Sequence, residues 1–388
     1  MSVQWEITFF AVHGTDTVLF ANGQMQVAVD ISITAIDPTY NVPHTLTAAQ
    51  LSTIELVDYY YTDQKLTGSW NYSAQENEFA HSMPSTAGDR AGGTARVAAE
   101  PLNRQFKRYW VTATRIESKN VGARVRQPNN IWITTNSKDF NSRVVLRGNA
   151  PVAYDTNNTT FRRTDQASGS GWDQDNYYLS SKGHRFIKAE LHGYKKENDC
   201  MEGLRNCVGY YNRGSFGKVI HYMWGIGSRT TKTVGVTHWT DCTPVPAPFT
   251  ANITVHDQAN SVCLTRLNIL SLYESWQTDW SYHPCWFKVF DVYGNSGNFS
   301  VERDNGYNLI KVQHYNRTAA LESSEEIVYY QEDIPSGDAA TGEIIDRAKA
   351  MEIIGAAAVV GAAGATGAVG VEAAQAAEAV ETASSEAV

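Results

Sequence analysis

The residue combinations that could do chemistry are few, and each fails a spacing test. Gly214-Ser215-Phe216-Gly217 sets a serine among glycines but lacks the Gly-x-Ser-x-Gly spacing that raises a nucleophile on a sharp strand-to-helix turn. Ten scattered histidines define no serine, histidine and aspartate order. Gly225-Ile226-Gly227 stops short of the third glycine of a dinucleotide fingerprint, and no glycine loop is followed by a phosphate-binding lysine. His238 with Cys242, and His283 with Cys285, each offer two metal ligands without the paired Cys-x-x-Cys spacing of structural zinc. A core cysteine beside a surface histidine explains both. Asp173-Gln174-Asp175-Asn176 begins like a calcium loop but lacks the glycine and distal glutamate that close one, so it reads as a turn. These failures predict a protein that is not an enzyme and uses no cofactor or metal.

Two other groups suit binding. Trp172, Tyr177, Tyr178, Tyr210 and Tyr211 lie among Asp, Asn and Gly, a mix in which rings stack on a sugar face while polar neighbours take its hydroxyls. Aromatic packing beneath loops is the competing reading. Near the end, Ile353 to Val371 is nineteen residues without a charge, mostly Ala, Gly and Val, with Gly361, Gly364, Gly367 and Gly370 spaced three apart. Such small residues allow close helix contact between copies. The length also permits a membrane span, although Ala and Gly drive insertion weakly, and a mobile tail is the third reading. The expected partners are therefore other copies of the chain, with a glycan or a membrane (through residues 353–371) as the alternatives.

These groups must be positioned by strands. From Met25 to Ala35 every odd position is apolar and most even ones are polar, the period-two pattern of a half-buried β-strand. Burying six such side chains contributes roughly 10 kcal/mol before conformational entropy is subtracted. Asn22-Gly23 after Val18-Leu19-Phe20 predicts a tight turn with positive φ at both residues, folding one strand onto the other as a hairpin. Val3 to Ala11 alternates as an opening strand, and Thr47-Ala48-Ala49-Gln50 has capping-box spacing for one helical turn before a strand at Ile54.

The chain then divides by composition. Residues 1–81 read as an N-terminal β-sandwich unit, and 82–99, rich in Gly, Ala and Thr, as a linker. Short strands near Tyr109, Ala123, Ile131 and Arg143 make 100–163 a basic β unit, and weak periodicity makes 164–248 a loop-rich aromatic and glycine region. Alternation returns over 249–318, with Tyr293-Gly294-Asn295-Ser296-Gly297 as a hairpin turn, and 319–388 is an acidic, Ala/Gly-rich tail, helical or disordered. The expected fold is mainly β, with two or three Ig-like sandwich units.

The stretch Val18 to Asp37, with its Ala-Asn-Gly turn leading into a Val-alternating strand and an Asp-containing turn, resembles bacterial Ig-like domains of the invasin and intimin kind. That resemblance implies a β-sandwich used as a spacer or adhesive module at a cell surface, with no active site.

Charge is strongly segregated within a net −9. Residues 1–89 carry one basic and ten acidic side chains, and residues 90–163 carry fourteen and four. Residues 164–318 carry fifteen and fourteen, whereas 319–388 carry two and thirteen. Nucleic acid is disfavoured by the acidic total. Head-to-tail assembly, the acidic first part of one copy against the basic second part of the next, is the preferred use. The opening residues lack a basic and an apolar signal region, predicting synthesis in the cytoplasm, with any release following a leaderless route. Five cysteines (Cys200, Cys207, Cys242, Cys263 and Cys285) make no disulfide framework and are expected to be reduced. The functional expectation is a non-enzymatic bacterial structural or adhesive subunit that self-assembles. Its rival is a toxin-like protein that binds glycans through the aromatic loops of 164–240 and inserts its tail into membranes.

Overall fold

A computed structural model describes residues 4–84, 103–169, 172–192, 204–212, 215–238, 244–271, 286–303, 309–316 and 327–330. These residues are mainly β, in several largely antiparallel sheets. They form two compact units, one built on Met1–Pro151 and one on Val152–Gly337.

The first unit contains β1 (Glu6–His13), β2 (Val18–Phe20), β3 (Val27–Asp37), β4 (Val42–His44), α1 (Ala48–Leu51), β5 (Glu55–Asp58), β6 (Trp70–Ser73), β7 (Gln105–Ala113), β8 (Ser118–Arg126), β9 (Trp132–Thr134) and β10 (Val144–Asn149). One sheet runs β1-β3-β7-β6 with β4 also on β3, and the other runs β2-β10-β8-β5 with β9 also on β8. The core-facing side of β3 is Val27, Val29, Ile31, Ile33 and Ala35, all fully buried. The helical turn forms as its spacing predicts: Thr47 Oγ1 accepts from the Gln50 amide and Gln50 Oε1 from the Thr47 amide.

Three expectations for this unit are corrected. First, β2 and β3 are not a hairpin, because β2 pairs in parallel with β10 while β3 pairs with β1 and β7. Among the turn residues only Gly23 has positive φ, at 74°, and its amide is taken by the Ala113 carbonyl. Asn22 Oδ1 accepts from the Gln24 and Met25 amides, so the segment carries the chain from one sheet to the other, with Leu19 and Met25 fully buried. Second, β3 is not half-exposed. Its polar side is buried as well, and Asp30 meets Arg108 of the neighbouring strand through bonds of 2.8 and 2.9 Å. Third, residues 82–99 do not separate an acidic domain from a basic one, since β7 lies between β3 and β6 and β8 pairs with β5. Residues 85–102 themselves lie outside the described part.

Local sequence charge misled here because antiparallel pairing joins distant segments. Residues 1–151 hold thirteen basic and thirteen acidic side chains, and Asp30 with Arg108, Glu55 with Arg124 and Asp58 with Lys119 are ion pairs between the two halves. Three of the ten acidic side chains of residues 1–89 thus meet cations of residues 90–163 within one unit.

The second unit contains β11 (Thr159–Gly169), β12 (Trp172–Ser181), β13 (Phe186–His192), β14 (Leu204–Asn212), β15 (Ser215–Met223), β16 (Thr230–His238), β17 (Pro244–Val255), β18 (Ser261–Ser271), β19 (Trp286–Asp291), β20 (Ser296–Arg303), β21 (Ile310–His314) and β22 (Ile327–Tyr330). A sheet β11-β12-β18-β15-β14 shares an apolar cluster with a second sheet, β21-β20-β19-β13-β22, through Tyr177, Leu179, Val262 and Leu264 against Phe186, Phe287, Val289 and Phe299. Its other side meets the hairpin β16-β17 through Tyr178, Ile220, Tyr222 and Trp224 against Val234, Ile253 and Val255. Residues 164–248 are thus strand-rich, not loop-rich, and the expected divisions at 163/164 and 248/249 cut through paired strands. Weak alternation there has a physical cause: the central strands are buried on both sides, so apolar residues do not alternate with polar ones.

The turn between β19 and β20 follows the sequence reading. Asp291, fully buried, accepts from the Tyr293 amide at 2.8 Å, the Asn295 amide at 2.9 Å and the Tyr154 hydroxyl at 2.8 Å. A Cβ on Gly297 would lie 2.2 Å from the Tyr154 carbonyl oxygen, which is why a glycine stands there.

Candidate functional site

Only part of the expected glycan set has described side chains. Tyr177 and Tyr178 alternate to opposite sides of β12 and are 2 % and 0 % exposed, one in each apolar cluster of the second unit. Rings buried this way cannot lie against a sugar, and burial pushes the Tyr178 hydroxyl up to about 12. Trp172 is half-buried against Phe249 at 5.7 Å between ring centres. Tyr210 and Tyr211 lie on β14, paired with Gly217 and Phe216, and their side chains are outside the described part. The aromatic packing reading holds for Tyr177 and Tyr178.

Asp173 to Asn176 lie in β12, not in a turn. Asp175 and Arg266 are both fully buried, with Arg266 Nε donating to Asp175 Oδ2 at 2.9 Å, Asp173 joining at the same guanidinium and Arg163 reaching Asp175 Oδ1 at 2.8 Å. Both carboxylates are thus engaged by arginines, an arrangement that holds strands together and leaves no oxygen pair for a cation. Among the described residues no group of three His, Cys, Asp or Glu side chains is placed to hold a metal. Cys263 is the cysteine whose side chain is described; it is free and buried, with its thiol pushed up to about 12 by burial. Gly361, Gly364, Gly367 and Gly370 lie outside the described residues, among which no helix is long and apolar enough to cross a membrane.

The arrangement best suited to binding was not singled out by the sequence. On the second sheet, Val121, Ala123 and Val125 of β8 face the core, which turns Gly122, Arg124 and Arg126 to the outer side. Trp132 of β9 pairs with Arg126, and its ring carries the Arg124 guanidinium at 4.4 Å and that of Arg126 at 5.9 Å. Arg124 is buried, held by Glu55 at 2.7 Å and donating to the Thr62 carbonyl at 2.9 Å. That bond ties the Trp132 side to the loop that follows β5. At the loop's other end Asn136 Nδ2 donates to the Tyr59 carbonyl at 2.6 Å, and Arg143 lies 5.1 Å from the Tyr59 ring while donating to the Tyr60 hydroxyl at 3.2 Å. Tyr60, Tyr61, Ile131, Trp132 and Val145 are left 58 %, 72 %, 55 %, 41 % and 48 % exposed. Arg126, Arg143 and Arg147 are exposed beside them and, among the described residues, carry no ion pair.

The platform beneath is rigid for identifiable reasons. Tyr59 crosses Gly122 so closely that a Cβ there would meet its ring at 3.4 Å and Thr135 Oγ1 at 2.8 Å, and Thr135 Oγ1 is fixed by the Ala123 amide at 2.9 Å. Gly122→Val is therefore expected to destabilise by about 1–3 kcal/mol and to free the 59–62 loop. Chemical denaturation, with hydrogen exchange at Tyr60 and Tyr61, checks both effects.

Acid acts on the same platform. Burial alone raises the Glu55 and Asp58 carboxyls, but bonds from Lys65 and Arg124 to Glu55 and from Lys119 to Asp58 outweigh it, leaving both below their ordinary 4.5 and 3.8. Because the folded values are depressed, their stabilisation is full above the ordinary values and is lost as pH falls through the folded ones. Denaturation midpoints should fall on acidification from about pH 5 towards pH 3, and Glu55→Gln should flatten that fall.

The class the fold and site define is a mainly β protein with an arginine–aromatic face on an outer sheet surface. Comparison of the sequence with protein-family models and with curated proteins finds no match.

Proposed function

We propose that the chain is a non-enzymatic bacterial structural or adhesive subunit that self-assembles, and that its first unit docks on a second copy through the arginine–aromatic face. The observation that carries this is the exposure of Tyr60, Tyr61 and Trp132 beside Arg126 and Arg143 on one rigid surface. Tyr, Trp and Arg dominate the energetically decisive parts of protein interfaces, and a contiguous exposed apolar patch marks an interaction site. The resemblance of Val18 to Asp37 to Ig-like domains of the invasin kind supports the adhesive side of the reading, and the Ig-like character of the units belongs to the same proposal.

Sedimentation velocity across a concentration series tests it. The chain should form oligomers, and Tyr61→Ser with Trp132→Ser should weaken association at least about tenfold, as loss of one or two anchoring aromatics does. A chain that stays monomeric at every concentration, or a variant that assembles like the parent, overturns the proposal.

A further inference from the structure

The occupant of the face can be narrowed by charge. Of the acidic side chains around the face, Glu55 is engaged from beneath by Arg124 and Lys65 and Asp58 by Lys119 at 2.5 Å, while Asp63 and Asp139 are exposed in the flanking loops. The exposed cations Arg126 and Arg143, next to the rings of Trp132 and Tyr60, and Arg147, two residues beyond Val145 on β10, are left without carboxylates among the described residues. A fitting occupant therefore carries several carboxylates, no cation, and a few apolar side chains for Trp132, Tyr60 and Tyr61.

Beyond residue 318 three acidic stretches have no Lys or Arg, 319–330, 331–346 and 372–388; the first ends in β22, which is paired to β13, and the third has no isoleucine or proline, which leaves the second. Residues 331–346, Gln331-Glu-Asp-Ile-Pro-Ser-Gly-Asp-Ala-Ala-Thr-Gly-Glu-Ile-Ile-Asp346, contain Glu332, Asp333, Asp338, Glu343 and Asp346, no Lys or Arg, and Ile334, Pro335, Ile344 and Ile345. Resting on the assembly reading above, we infer that residues 331–346 of a neighbouring copy bind the arginine–aromatic face, their carboxylates meeting Arg126, Arg143 and Arg147 and their isoleucines and proline covering the rings. Carboxylates pair bidentately with guanidinium groups, and proline packs on exposed aromatic rings with little entropy left to lose. This replaces the acidic-first-part, basic-second-part contact suggested by sequence charge, because those two parts share sheets within one unit.

Charge reversal in the full chain tests the assignment by sedimentation velocity. Arg126→Glu with Arg143→Glu should weaken association at least about tenfold, and so should Glu332→Lys, Asp333→Lys and Asp338→Lys together. Combining both sets in one chain should restore association to within about threefold of the parent, which a merely unfolded variant would not do. Added salt should weaken the parent and the combined variant alike. If reversal in 331–346 leaves assembly unchanged while reversal on the face abolishes it, this inference is wrong and the assembly reading stands with another surface as occupant. If both single sets abolish assembly and their combination does not restore it, the pairing is wrong. A parent chain that is monomeric throughout removes both.

Discussion

Arg266→Ala is expected to lower the stability of the second unit by about 3–5 kcal/mol, because it leaves the fully buried Asp175 carboxylate with Arg163 as its remaining cation. The effect should be far larger than the net worth of the cluster. Replacing the buried pair together, Arg266→Met with Asp175→Leu, removes the charge along with its partner and should cost much less than Arg266→Ala alone. Denaturant titration followed by tryptophan fluorescence reads the difference, since Trp224 donates to Thr265 Oγ1 at 2.9 Å, one residue from Arg266. Equal losses for the single and paired replacements would show that the cluster is not a coupled buried unit.

Val29→Asp should cost about 4 kcal/mol or more in the first unit. Val29 is fully buried opposite Tyr109, and Asp30, the nearest acidic side chain in sequence, already occupies Arg108 on the other side of the strand. On the same side Lys107, opposite Ile31, lies with its Nζ 5.3 Å from the centre of the Tyr109 ring, so an aspartate at 29 is buried either against that lysine, at the cost of desolvating both charges, or protonated. A fall of about 10 °C or more in the thermal midpoint is expected for a unit of this size. An unchanged midpoint would mean that odd positions of β3 do not face the core.

How much of this was legible in the sequence depended on whether burial was one-sided. The core side of β3, the capping box at Thr47 and the turn after Asp291 all follow from local patterns, and all three appear in the structure. The hairpin expected at Asn22-Gly23 failed because a turn signal specifies a reversal but not which sheet receives the next strand. Residues 164–248 were misread as loops because a strand such as β12 carries buried polar groups on both sides: Asp175 with Arg266 on one, Asn176 with Thr265 at 2.6 Å on the other. A buried Asp or Asn in a strand looks like a turn residue when its partner is some ninety positions away. The arginine–aromatic face was missed for a similar reason. Tyr60, Trp132 and Arg143 are scattered over eighty residues and meet only because β5 and β9 both pair with β8. Gly122 was the available signal, a glycine inside an alternating strand that marks another backbone passing close.

The most direct measurement of the central claim is hydroxyl-radical footprinting of the full chain, read by mass spectrometry, at concentrations below and above the onset of assembly. The account predicts that Tyr60, Tyr61 and Trp132 lose reactivity as oligomers form, while Tyr40, exposed elsewhere on the first unit, keeps its own. Undiminished labelling of Tyr60, Tyr61 and Trp132 in the assembled protein would contradict it.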